Sequence, residues 1–272
     1  MIKSNKLLYV YCFLTKEASD EDLSSLLEDL KGIATATVSF EVFTHFKCVY
    51  SEVDKNIFQG EEAEARLEDI NWIAPQAAIH QKIIQEVDKL APLLPTKFGT
   101  LFSAIPIIDK FLNKHEATIT EFFRTTANAK EWVLKGRLLK EQYVESVFNQ
   151  RIASHQINLS PKQGTRYLQE KKIKSEILRE IPAVTDHFKK RVLDIISKDS
   201  LQVLFGNTTL NTNEKILGDL VFNITFLAPL HSLEAIKDNL VYFEQLESNS
   251  DFKLELSGPW APFSFVPELT TD

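Results

Sequence analysis

The stretch Gly258-Pro259-Trp260-Ala261-Pro262-Phe263-Ser264-Phe265-Val266-Pro267 constrains this chain more than any other. Just before it, Phe252, Leu254 and Leu256 alternate with Lys253 and Glu255, the pattern of a half-buried strand. Gly258 is expected to end that strand. Three prolines then fix φ and remove backbone donors, so neither a helix nor a strand ladder continues. Trp260, Phe263 and Phe265 are left on a stiff, extended tail, and large apolar side chains seek burial. The expectation is packing within the chain, near the end of a C-terminal sheet, with the junction between domains also within reach. A groove on a partner is the other reading.

Upstream, the continuous apolar run Leu7 to Leu14 reads as a central strand covered on both faces. Ser19 reads as an N-cap, with Asp20, Glu21 and Asp22 in the first turn of a helix that carries Leu23, Leu26, Leu27 and Leu30 and stops at Gly32. Val38, Phe40 and Val42 alternate as a second strand, and Phe46, Cys48 and Tyr50 as a third. Helices are expected over 61–69 and from Trp72, with Pro75 tolerated in a first turn. Leu94 to Phe102 reads as a fourth strand. In that order the first and third strands are neighbours, which brings Cys12 and Cys48 into proximity without chemistry.

An amphipathic helix over about 105–126 follows, and Glu131 to Gly136 opens a second set of elements. The polar segment from Glu141 to Lys162 reads as a mobile loop, and Ser160-Pro161 as the start of a long helix that Pro182 should break or kink. Strands at Leu201–Phe205 and Leu220–Phe226 and a helix capped by Ser232 complete the pattern. The fold expectation is α+β. Two domains of ferredoxin-like β-α-β-β-α-β arrangement, each with a mainly antiparallel sheet, occupy residues 1–103 and 131–257. A connecting helix spans 104–130 and an ordered tail 258–272.

The chemistry-bearing residues point away from catalysis. None of the phosphate-loop, dinucleotide, zincin or nucleophile-elbow motifs is present, and the six histidines stand at no metal-ligand spacing, so no cofactor or metal is expected. His80 lies on the apolar face of its helix and reads as a core histidine bonded to a backbone carbonyl. The basic clusters Lys171, Lys172, Lys174 and Lys189, Lys190, Arg191 alternate with acids on helical segments and read as solvated faces. A net charge of −7 argues against nucleic acid as the main partner. The N-terminal apolar run is too short for a secretory signal and no stretch is long enough for a membrane span, so a cytoplasmic protein is expected.

Two blocks also carry a family likeness. Gly258-Pro259-Trp260, then Pro262, Ser264 and Phe265, resemble the C-terminal signature of the gas vesicle GvpF/GvpL family. Leu94-Pro95-Thr96-Lys97-Phe98-Gly99-Thr100-Leu101-Phe102 matches a second block in the same order. Ala261 and Phe263 stand where family members usually carry Pro and Tyr, and Lys97 where they carry Arg. The resemblance implies a minor structural or assembly protein of gas vesicles rather than an enzyme. Such a protein would bind the small hydrophobic shell-forming protein, of the GvpA type, and other accessory proteins, towards the gas-facing side of the shell. The reading from another class is a small-molecule enzyme or ligand-binding protein on ferredoxin-like domains.

Overall fold

In the computed structural model, which describes residues 5–206, 218–246 and 251–270, the first apolar run is strand β1 (Lys6–Thr15). Side chains alternate across a sheet, so a run apolar at every position from Leu7 to Leu14 needs cover on both faces. Leu7, Tyr9 and Leu14 enter one apolar cluster, and Leu8, Val10 and Phe13 another. A bulge between Val10 and Cys12 adds Tyr11 as an extra residue, so Tyr11 and Cys12 join the same cluster before alternation resumes at Phe13. Cys12 and Cys48 lie on neighbouring strands, but they are free, buried and in different clusters.

Helix α1 (Asp20–Glu28) begins where Ser19 Oγ accepts the Asp22 N–H at 3.2 Å, and it buries Leu23 and Leu27. Strands β2 (Val38–Val42) and β3 (Phe46–Asp54) follow, then short helices α2 (Lys55–Phe58) and α3 (Glu61–Glu68). Helix α4 (Ile70–Val87) opens two residues earlier than the expected Trp72, because the Asp69 carboxylate caps the Asn71 N–H at 2.9 Å. Pro75 therefore lies inside the helix rather than in its first turn.

The stretch expected as one strand over 94–102 is instead two short strands, β4 (Leu93–Pro95) and β5 (Leu101–Phe102), separated by a turn. The sheet runs β2-β3-β1-β4, with β5 also on β1, and every one of these pairings is antiparallel. The expected connecting helix is two helices, α5 (Ile105–Lys114) and α6 (Glu116–Thr126), which meet at His115. Ile108, Leu112, Ile119, Phe122 and Phe123 pack on Leu8, Val10 and Phe13. These helices thus form the cover for the second face of the first sheet. They fall inside a unit of residues 1–131 joined by 259–272, whereas 132–258 form the other unit.

The second unit holds β6 (Ala129–Leu138, from Trp132), α7 (Lys140–Ala153), α8 (Gln163–Ser197), β7 (Gln202–Phe205), β8 (Asp219–Pro229), α9 (Leu233–Leu246) and β9 (Phe252–Trp260, to Gly258). Its sheet order is β7-β8-β6-β9. Two expectations are corrected. Most of the expected loop over 141–162 is α7, which buries Tyr143, Val144 and Phe148. Helix α8 also runs through Pro182 without the break that was one of the two outcomes expected there. Gly136 sits in β6 where a Cβ would lie 2.2 Å from the Phe222 ring, so the ring occupies the space a side chain would need. Beside it the buried Arg137 donates through Nε to the Glu255 carboxylate at 3.1 Å and through Nη1 to the Gly218 carbonyl at 3.3 Å. The chain is a mixed α+β protein built on antiparallel strand pairs.

Candidate functional site

The first motif block is organised by its turn. The Thr100 N–H and hydroxyl both donate to the Lys97 carbonyl, at 3.1 and 2.7 Å. That closes a four-residue turn whose third residue is Gly99, with φ of +84°. Positive φ at this position is what a type II turn demands, and a Cβ there would meet nothing within 4 Å. The cost of a side chain is thus conformational alone. Gly99→Ala is expected to lower stability by about 1–2 kcal/mol, read from the urea midpoint.

The turn is fixed to the core through a polar relay. The Gly99 N–H donates to Tyr9 Oη at 3.1 Å, and Tyr9 Oη lies 3.0 Å from His80 Nδ1. His80 Nε2 lies 3.1 Å from the Thr96 carbonyl. A carbonyl only accepts, so Nε2 carries the proton and Nδ1 accepts from the phenol. Burial holds the imidazole pKa down to about 4 and pushes the Tyr9 phenol up, so both stay neutral. The expected backbone-bonded core histidine is present, and its second partner, Tyr9, is a residue that periodicity did not single out. The Phe98 ring sits edge-on to both Tyr9 and His80, with centroids 6.0 and 5.9 Å away. Thr96 completes the seam, its hydroxyl 2.7 Å from the Val10 carbonyl and 2.9 Å from that of Tyr11.

The second block returns to the same unit. Strand β9 continues through Gly258 and Pro259 to Trp260, past the expected stop at Gly258. Trp260 is half-buried, and the chain beyond it packs on the first unit. Ala261, 1% exposed, and Phe263 join the cluster of Tyr9 and Tyr11, whereas Val266 and Leu269 join that of Phe13. Phe263 to Phe265 make one short 3-10 turn after the buried Pro262.

Glu131 holds that turn. Its buried carboxylate accepts the Ser264 N–H at 2.7 Å and the Ser264 hydroxyl at 2.8 Å. Desolvation raises its pKa, and the two Ser264 bonds act in the opposite direction. Farther along, His115 Nε2 lies 2.8 Å from the Thr270 carbonyl. Ser264→Ala would leave the buried carboxylate one donor short, and a loss of about 1–2 kcal/mol in the unfolding free energy is expected.

The two blocks meet. Pro95, Thr96, Lys97 and Thr100 on one side and Phe263, Val266 and Leu269 on the other line a cleft of about 230 Å³ in the first unit. Phe98 and Gly99 reach the cleft only through the turn. Gly258, Pro259, Trp260 and Phe265 do not line it. Among the described residues no group of three His, Cys, Asp or Glu could hold a metal ion. No described helix is long and apolar enough to cross a membrane. Part of the basic cluster on α8 is engaged within its own unit. Lys190 pairs with Asp186 at 2.8 Å, Lys174 with Glu145, and the Lys189 ammonium lies 4.5 Å from the Phe205 ring centroid.

The fold is similar to that of the gas vesicle protein GvpF from Anabaena sp. PCC7120, with a TM-score of 0.67 at 15% identity over 97% of each chain. GvpF from Microcystis aeruginosa gives 0.62 at 15% identity, over 96% of this chain and 99% of that one. At such identity the likeness is one of fold. No curated protein matches this sequence. The family described as gas vesicle synthesis protein GvpL/GvpF matches residues 7–267, which include both blocks and nearly everything between them. The chain therefore belongs to the gas vesicle synthesis protein GvpL/GvpF family.

Proposed function

We propose that this chain acts in gas vesicle formation by binding the small hydrophobic shell-forming protein, towards the gas-facing side of the shell. The observation that carries the reading is the family match over residues 7–267, and Pro95, Thr96, Lys97 and Thr100 of one block meet Phe263 of the other in one cleft. The role is one of binding and assembly, not catalysis, and other vesicle accessory proteins are further partners. Each unit is read as a ferredoxin-like domain, supported by the common order in which its second, third, first and fourth strands lie side by side. The motif residues Pro95, Lys97, Phe98, Gly99, Gly258, Pro259, Trp260, Pro262, Phe263, Ser264 and Phe265 shape the presenting face rather than carry chemistry. A hydrophobic shell subunit self-associates readily, and a rigid protein with apolar surface can hold it at a growth point.

The test is capture of the shell protein by the purified full-length chain at increasing ionic strength. Contact through apolar surface should persist from about 0.1 M to about 1 M salt, where the screening length falls from about 10 Å to about 3 Å. Absence of capture at any salt would overturn the reading. Capture lost at moderate salt would transfer the contact to the basic positions around Lys171 and Lys189.

A further inference from the structure

We propose that the cleft between the two motif blocks is a binding site for a medium-chain alkyl carboxylate, independent of the shell-protein reading. Phe13, Leu94, Phe102 and Phe111 form its inner wall, and Val266 and Leu269 its outer one. The polar side chains at its rim are already committed. The Thr96 hydroxyl points to the carbonyls of Val10 and Tyr11, and the Thr100 hydroxyl to that of Lys97. What remains is the Lys97 ammonium, which is exposed and has no ion-pair partner among the described residues. No carboxylate lines the cleft, although the whole chain carries a net charge of −7.

An apolar cleft with one cation at its mouth selects a ligand with an apolar body and a single anionic head. A peptide suits it less than an alkyl chain. Its N–H and C=O groups would enter a mostly apolar space in which the Thr96 and Thr100 hydroxyls already donate to carbonyls, and unpaired backbone groups are costly to bury. The outer wall is also fixed in advance. Residues 264–270 are tied at one end by Ser264 to Glu131 and at the other by His115 to Thr270, so Val266 and Leu269 are held in place before a ligand arrives.

Calorimetric titration of the purified full-length chain with octanoate, with 1-octanol and with an N-acetylated apolar tripeptide tests this, each kept below its aggregation limit. Saturable octanoate binding at one per chain is expected. Lys97→Met should weaken octanoate by up to about fivefold, the range of an exposed ion pair, and leave octanol unchanged. Val266→Trp fills the cleft and should abolish binding of both. If that variant does not fold, Leu269→Phe takes its place. The proposal is overturned by the absence of saturable octanoate binding or by binding that survives the filled cleft. It is equally overturned by equal effects of Lys97→Met on acid and alcohol. Tripeptide binding without octanoate binding would assign the cleft to a protein partner instead.

Discussion

Between pH 6.5 and about 4 the chain is expected to lose about 3 kcal/mol of stability through His80 alone. In the unfolded chain the imidazole takes a proton near pH 6.5. In the folded one burial delays this to about 4. Below 6.5 the unfolded state therefore binds the additional proton, and stability falls as pH falls until the folded group titrates as well. Burial is the larger influence on the ring, and the bond to the Thr96 carbonyl, which favours the charged form, opposes it without cancelling it. Tyr9 is a neutral phenol that donates to Nδ1, and Nε2–H is spent on the Thr96 carbonyl. His80→Gln retains polar atoms at the position but cannot titrate, so its urea midpoint should vary less with pH than that of the parent. The difference between the two profiles, confined to this window, isolates His80 from the acid titration of surface carboxylates. Parallel profiles would sink the assignment.

His80 also marks the limit of what the sequence disclosed. Its place on the buried face of α4 follows from spacing alone, and so does a carbonyl partner. The identity of the other partner does not, because Tyr9 and His80 are separated by 71 positions and β1 is apolar from Leu7 to Leu14. The bulge at Tyr11 left no local trace either, since an extra residue in a fully apolar strand changes no pattern that periodicity can read. Strands and the capped α1 were legible because their signals are local: alternation, Ser19, and acids in the first turn. The expected loop over 141–162 hides most of α7, because its polar content masks a narrow apolar stripe of Tyr143, Val144 and Phe148. For 94–102 the signal was misweighted. A single strand over 94–102 places Gly99 inside it, whereas its positive φ serves the turn that divides the stretch in two. The cleft was beyond reach for a plainer reason. Lys97 and Val266 approach a common space from blocks far apart in the chain, and only the return of the tail to the first unit brings them together.

That return gives the largest effect expected of any change to this chain. Ending it at Gly258 would remove Ala261 and Phe263 from one apolar cluster and Val266 and Leu269 from the other. It would also leave the Glu131 carboxylate buried without its two Ser264 donors. Burial of Ala261, partial burial of the other three side chains and loss of the bonds to a carboxylate together amount to about 5 kcal/mol or more. That is a large share of the total stability of a domain, which is about 5–15 kcal/mol. The first unit should accordingly melt well over 10 °C lower, at about 2–4 °C per kcal/mol. Trp260→Ala is expected to do much less, about 1–2 kcal/mol, because the indole is half-buried at the end of β9 and not enclosed in either cluster. The contrast between the two variants is the discriminating measurement. A truncated chain that melts within about 4 °C of the parent would mean that the clusters close without the tail. A Trp260→Ala effect as large as the truncation would move the anchor from the residues facing the cleft to the indole itself.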